Sequence, residues 1–519
     1  MPGDAVFWFL LIVSATNAAL AWWRGAGQRG WLLLSLGLLV LTLAGRFTAD
    51  ERLLWAAAGA WLVLIVLPMI LLRTATALAS RERFDAARPF ATLAAVLHPC
   101  DGWREMPAFL GAQDRANRGD IDGALELLEP LCRPGAPAEA KASLVRARHL
   151  QRWEEIVERT AHDAFPRSTD ADTLGLILRA HGEIGDVPGM VDLWERHRKA
   201  LSAHQAIRDY ARLALFAFSG RVEATRRLME ARMATIPAAT RDYWLATARL
   251  AAGETDAARR EFERLLPEVG AGPRRAMERR LALIDRPPAT LDERRRGLID
   301  AEEARSEEEV RFTAPVPVRS PAGLVTRWLI GANVAVFVLE SLMGGSTDPA
   351  TLHRLGGLCT GCVSEGAWWR LLTSTFLHYG PLHLAMNLLA LAALGPAAEK
   401  ALGRRRFVLV YLAAGVGSMA TVALRAWATG VESFTVGASG AVMGLIGSSA
   451  ATMLRGWLRE RAPAARSRGL AMASYVAIQM AIDTFVPQFS FTAHLAGAVT
   501  GFVITLLVGD RLARRADGA

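Results

Sequence analysis

The stretch Val436-Gly437-Ala438-Ser439-Gly440-Ala441-Val442-Met443-Gly444 puts a hydroxyl between glycines, inside an apolar run long enough to cross a bilayer. Such a serine is either a nucleophile or a small residue that lets helices pack closely. Polar and ionisable side chains are expensive in hydrocarbon, so each one inside an apolar run is a candidate for function. In the C-terminal part of the chain these are His378, His383, Asn387, Glu399, Asp483 and His494. Glu399 and Asp483 fall near the ends of their runs, where water can reach them, so the others carry the question. His383 and Asn387 are four apart and share one helix face, one turn from each other. Two donors stacked in this way could hold a negative charge developing on oxygen, or could simply glue helices together by hydrogen bonds. His494 is followed by Gly497 and Gly501, as Ser439 is followed by Gly440 and Gly444. Two small-xxx-small faces bring helices into near backbone contact, which would set His494 beside Ser439.

The elements that must position these residues are six apolar runs: Trp328 to Met343, Tyr379 to Ala398, Phe407 to Ala428, Val436 to Met453, Leu470 to Val486 and Thr492 to Val508. Arg404-Arg405-Arg406 lies between the second and third. Arginines from Arg455 to Arg468 lie between the fourth and fifth, and Arg511, Arg514 and Arg515 come after the sixth. Every second connection is strongly basic and is therefore expected inside, which leaves the start of the fourth run, with Ser439, near the outer surface.

Three further runs open the chain: Ala5 to Trp23, the short Trp31 to Ala44, and Leu53 to Leu72. Asp4 before the first run and Arg24 after it predict an uncleaved span with its N-terminus outside. Residues 1–73 are thus expected to cross about three times. Arg73, Arg81, Arg83 and Arg88 then put the next segment in the cytoplasm.

Residues 84–298 contain no run of membrane length and form a soluble α-helical insert. Gly119-Asp120-Ile121-Asp122-Gly123-Ala124-Leu125 is echoed at Gly253-Glu254-Thr255-Asp256-Ala257-Ala258, with related units opening at Gly185 and Gly220. The period is near 34 residues, with a degenerate unit around Arg152-Trp153. It resembles tetratricopeptide-type helix pairs, which stack because no single pair can bury its apolar face; the other reading is an irregular helical bundle. In either form its expected role is to bind a protein partner or regulate access. Residues 299–321 read as a linker, with Glu302-Glu303 and Glu307-Glu308-Glu309 before Pro315, Pro317 and Pro321.

The 519 residues suit two or three units, and a hydrophobic fraction of 52% with 15 Trp disfavours a soluble class. The charge of +9 does not point to nucleic acid, because the arginines flank apolar runs. Cys100 and Cys132 read as isolated small hydrophobes. Cys359-Thr360-Gly361-Cys362 suits a disulfide or free thiols rather than a metal site, since only His353 lies near it.

Trp369-Arg370, the His378/His383/Asn387 set, Gly437-Ala438-Ser439-Gly440, and Ala493-His494-Leu495-Ala496-Gly497 with Gly501 resemble the rhomboid family of intramembrane serine proteases. The motifs stand in that family's order over about Val325 to Asp510. The resemblance implies an all-α polytopic membrane protein whose residues 322–512 form a six-helix catalytic domain in the cell membrane. It implies a Ser439–His494 dyad acting on membrane-spanning segments of other proteins, with no metal or cofactor. His383, Asn387 and the Ser439 backbone N–H would form the oxyanion site around Gly437, with His378 supporting the cavity. Glu399 falls at the family's acidic position at the inner end of the second helix, and Arg370, Gly497 and Gly501 would give structural support. Trp369 and Arg370 also suit an interface anchor. A hydroxyl needs a base to become a nucleophile, and a histidine oriented by packing alone suffices. Many family members carry an aromatic residue where this chain has Met443, a thioether that can pack against an imidazole. The alternative is a non-catalytic binder of transmembrane helices, against which the intact serine and histidine argue.

Overall fold

The computed structural model describes residues 2–24, 28–161, 171–202, 205–285, 287–313, 323–485 and 490–509. Pro315, Pro317, Pro321, Val486 and the arginines at 511, 514 and 515 lie outside these. The chain divides into two compact units, Met1–Val310 and Arg311–Ala519.

The first unit opens with helices Pro2–Arg24, Arg29–Phe47 and Glu51–Ala79. The run expected to be short is a 19-residue helix, long and apolar enough to cross a membrane, and so is the 29-residue helix after it. Flanking residues that the hydropathy reading left out, Arg29 and Phe47 among them, extend the helix because α-helical hydrogen bonding does not stop where apolarity does. Pro2–Arg24 carries a shorter apolar stretch, Val6–Trp22.

Helix pairs come next. Gly119, Gly185, Gly220 and Gly253 each stand in the turn of a pair with φ between 75° and 93°, the left-handed region that glycine enters without steric cost. Asp120 and Asp186 then cap the next helix, each accepting from the N–H three residues on. The degenerate unit repeats this turn with Gln151, whose φ is 58°, between helices Glu139–His149 and Trp153–Ala161. The unit's main core gathers Leu178, Met190, Trp194, Phe216, Phe218, Trp244 and Phe262.

Helix Glu293–Thr313 corrects the linker reading, which began at residue 299. Its acids are folded against the helix pairs: buried Arg212 donates Nε to Glu302 Oε1 at 2.8 Å and Nη1 to Glu309 Oε2 at 2.7 Å. The charge run that suggested a solvated segment is half of an internal ion-pair network. Cys100, read as an isolated small hydrophobe, is a free and exposed cysteine.

In the second unit Phe312 packs with Met453, Ala462 and Ala465. Six longer helices make up its body: Leu324–Leu342, Gly380–Leu402, Arg404–Thr429, Ser439–Glu460, Pro463–Phe485 and Phe491–Val508. They are the first to sixth helices of this unit. The first, second, third and sixth are long and apolar enough to cross a membrane. The fourth is less apolar, since Gly440, Gly444, Gly447, Ser448, Ala451 and Thr452 are buried by other helices and need not be hydrophobic to avoid water. A two-stranded antiparallel pair, Leu358↔Thr435 and Cys359↔Phe434, ties the loop after the first helix to the segment that leads into Ser439.

Breaking a buried ion pair leaves an uncompensated charge behind. Arg212→Ala is therefore expected to destabilise the first unit by about 3–5 kcal/mol, read as a lowered urea midpoint in circular dichroism of the full chain. Replacing the exposed Arg260 by Ala should leave that midpoint unchanged.

Candidate active site

Ser439 is the first residue of the fourth helix, so its backbone N–H belongs to the first turn, whose donors have no intrahelical acceptor. Gly437 places it there: φ is +134°, and its N–H donates to Ser374 O at 2.9 Å. A Cβ built on Gly437 would come within 2.9 Å of His383 Nε2, so only glycine allows that ring to lie against the start of the fourth helix. The His383 Nδ1 accepts the Tyr379 N–H at 3.3 Å. In the neutral ring the proton then sits on Nε2, the nitrogen that faces Gly437.

The fourth and sixth helices meet backbone to backbone. A side chain on Gly497 would collide with the Gly440 carbonyl, and one on Gly501 with the Gly444 carbonyl. The two glycine pairs read from the sequence are therefore in register with each other. This contact carries His494 to Ser439: His494 Nε2 lies 2.8 Å from Ser439 Oγ.

The other imidazole nitrogen is also engaged. His494 Nδ1 lies 2.7 Å from Asp483 Oδ2, and Asp483 Oδ1 accepts the Gln479 amide at 2.8 Å. Asp483 is buried, so water does not reach it as its position near the end of a run had suggested. The expectation of a histidine oriented by packing alone is replaced by one held by a carboxylate. Met443 packs with Ile446, Ala498 and Met480 and so faces the fifth helix, which delivers Asp483.

The remaining residues frame this centre. The Asn387 amide donates to His383 O at 2.9 Å, within its own helix. His378 is buried beside His383, ring centroids 5.3 Å apart, and its N–H donates to Glu340 Oε1 at 3.0 Å. Glu340, a buried acid of the first helix, was missed by the sequence reading, although a carboxylate inside an apolar run is the signal that would have found it. Glu399 accepts from the N–H groups of Val325 and Thr326 at 3.1 and 2.9 Å, which caps the first helix with an anion at its positive end. Arg370 turns inward, donating to His353 O and Gly357 O at 2.8 Å each. That corrects its reading as an interface anchor, because the guanidinium fork satisfies loop carbonyls that would otherwise be buried alone. Trp369 is exposed. Cys359 and Cys362 form a disulfide, with His353 Nε2 3.4 Å from Cys362 Sγ.

A hydroxyl, an imidazole at hydrogen-bond distance, a carboxylate behind it and a helix-start N–H make an arrangement suited to acyl transfer. The Rhomboid domain family model matches residues 365–511. "Putative rhomboid protease YdcA" of Bacillus subtilis (strain 168) is 31% identical over 196 residues, 37% of this chain and 92% of that protein. The chain belongs to the rhomboid family. "Rhomboid protease GluP" of Bacillus subtilis (strain 168) is 32% identical over 204 residues, 39% of this chain and 38% of that protein. "RHOMBOID-like protein 6, mitochondrial" of Arabidopsis thaliana is 34% identical over 163 residues, 31% of this chain and 50% of that protein. The chain thus spans about two fifths of GluP and half of the Arabidopsis relative. The rhomboid domain and the apolar helices make this a multi-pass membrane protein. The rhomboid match begins at residue 365, so the first helix is assigned to the unit by its packing and by the Glu399 cap.

Gly497→Val is expected to force the fourth and sixth helices apart. Labelling of Ser439 by a fluorophosphonate should fall at least about tenfold, since a displacement of about 1 Å can cost 10²-fold. Gly331→Val, in open space on the first helix, should label like the parent.

Proposed function

We propose that this chain is an intramembrane serine endopeptidase that cleaves membrane-spanning segments of other proteins. The observation that carries the reading is the continuous hydrogen-bonded line Ser439 Oγ, His494 Nε2, His494 Nδ1, Asp483 Oδ2, at 2.8 and 2.7 Å. Ser439 Oγ attacks the scissile carbonyl while His494 Nε2 takes its proton. Asp483 holds the ring in the tautomer with hydrogen on Nδ1 and favours the imidazolium that forms. The oxyanion receives the Ser439 backbone N–H and the His383 Nε2–H, each such donor contributing about 3–4 kcal/mol to the transition state. Asn387, whose amide bonds to the His383 carbonyl, fixes the turn that presents that ring. His494 then gives its proton to the leaving amine, and a water activated by the same ring releases the acyl group.

The arginine-rich connections support a site near the extracytoplasmic face, where water is available. The helix pairs of the first unit, with their resemblance to tetratricopeptide repeats, serve as a cytoplasmic module that binds a protein partner and regulates access.

Reconstituted protein should cleave a model transmembrane substrate, and Ser439→Ala should abolish cleavage; equal cleavage by the two would remove the protease reading. Asp483→Asn is expected to lower kcat by about 10²–10⁴-fold with little change in KM, because the wrong tautomer of His494 is then favoured. A loss of less than about threefold would mean that packing alone orients the base. Reporter fusions at Arg404 and Ala462 should report cytoplasm and one at Ser364 the exterior; the reverse pattern would overturn the orientation.

A further inference from the structure

Between the first and second helices of the second unit, Cys359 and Cys362 lie beside His353. We propose that this trio, once a dithiol has reduced its disulfide, binds a zinc-class divalent cation. Binding there uses no residue of the Ser439 centre.

In the sequence only His353 stood near the cysteines. In the fold the imidazole and both sulfurs offer donor atoms that lie within 4.8 Å of one another, with His353 Nε2 3.4 Å from Cys362 Sγ. Tetrahedral coordination at ordinary zinc distances separates two thiolates by about 3.8 Å and a thiolate from an imidazole by about 3.5 Å. Rotation of the side chains brings the three donors to those separations, because the backbone already holds the cysteine Cα atoms 5.2 Å apart. Cys-X-X-Cys is a common half of a zinc site. Two sulfurs and an imidazole select zinc over magnesium or calcium, which prefer oxygen.

The backbone around the trio is fixed from several sides. Arg370 Nη1 donates to His353 O and to Gly357 O at 2.8 Å each, so one buried guanidinium sets both the histidine and the strand that leads to Cys359. Cys359 pairs with Phe434, the Thr360 N–H donates to Ser433 O at 3.3 Å, and the Ser433 N–H donates to Thr360 Oγ1 at 3.0 Å. The Cys362 N–H donates to Cys359 Sγ at 3.3 Å, a bond that strengthens when the sulfur becomes a thiolate. Outer contacts of this kind orient ligands and tune them. Gly361 leaves room for the Glu432 carboxylate, since a Cβ there would stand 2.6 Å from Glu432 Oε1, and an anion over the turn favours a cationic occupant. His353 is exposed and both cysteines are half-buried, which gives the cation a way in.

Disulfide and metal are alternative states of one site. The dithiol takes a sulfur–sulfur bond onto itself and leaves its two hydrogens on Cys359 and Cys362. The cation then displaces both as protons, two Sγ–metal bonds form, and the lone pair of His353 Nε2 makes the third. Three protein ligands leave one tetrahedral position for water. While the sulfurs are bonded to each other they are not thiolates, so the oxidised form excludes the cation.

The test titrates Co2+ into the full chain in nanodiscs, reduced with a phosphine and desalted without air, and follows thiolate-to-cobalt charge-transfer absorption. The band should saturate at about one equivalent per chain, and Zn2+, which binds such ligands more tightly than Co2+, should bleach it. The same chain left oxidised should show no band, a comparison that needs no variant to fold. Cys359→Ser with Cys362→Ser should abolish the band, whereas Cys100→Ser with Cys132→Ser should keep it. His353→Ala should weaken zinc at least about tenfold, since losing even a partner behind a ligand costs about 10–100-fold. No band in the reduced parent would overturn the site, as would a band that survives loss of Cys359 and Cys362 or appears equally in the oxidised chain. Unchanged zinc affinity in His353→Ala would overturn the three-ligand assignment.

Discussion

Everything at the candidate active site depends on the backbone contact between the helix that starts at Ser439 and the helix that carries His494. Hydrocarbon gives helices no hydrophobic reason to associate, so close packing and polar contacts must hold them together. Glycine at four facing positions lets the Gly440 and Gly444 carbonyls rest against Gly497 and Gly501. That removes the slack that side chains would introduce between Ser439 and His494. The imidazole then has one nitrogen on each neighbour, the hydroxyl in front and the Asp483 carboxylate behind.

The polar residues around this contact divide the work of holding the second unit together. Glu399 closes the start of the first helix, Glu340 fixes the backbone at His378, and Arg370 collects loop carbonyls. Each is buried, and each neutralises or satisfies backbone groups that would otherwise be stranded away from water. The helix-pair unit uses charge differently: Arg212 is matched by Glu302 and Glu309, whereas Arg148 donates to the neutral Gln113 amide.

Much of this was legible in the sequence, for identifiable reasons. The spacing of Gly440, Gly444, Gly497 and Gly501 encodes a distance, so the meeting of Ser439 and His494 could be read before any coordinates. The left-handed turns were legible as glycines at a regular period, except where Gln151 takes the same conformation. Asp483 was seen but set aside, because position along a run says how near an end a residue lies and not what packs over it. Glu340 went unnoticed within a run treated as uniformly apolar. The acids at Glu302 and Glu309 looked like a solvated charge run because their partner, Arg212, lies some 90 residues earlier. For Arg212 the deciding contact is long-range and local composition carries no trace of it, whereas Glu340 was marked by its own charge inside an apolar run.

The Glu399 cap has a mechanical side. It pins the second helix at one end, and His383 lies 16 residues away near the other, about 24 Å along the axis at 1.5 Å per residue. The helix is therefore a lever with its fulcrum at the acid. A tilt of about 1° there moves the His383 ring by roughly 0.4 Å, close to the half-ångström tolerance of a working site. Bilayers of different thickness are accommodated largely by such tilts. The serine and histidine, locked by carbonyl contacts along the fourth and sixth helices, would ride through a change of membrane unaltered. The His383 ring on the second helix would not, so the thickness of the surrounding lipid changes how that ring sits against Gly437 while leaving the Ser439–His494 contact intact.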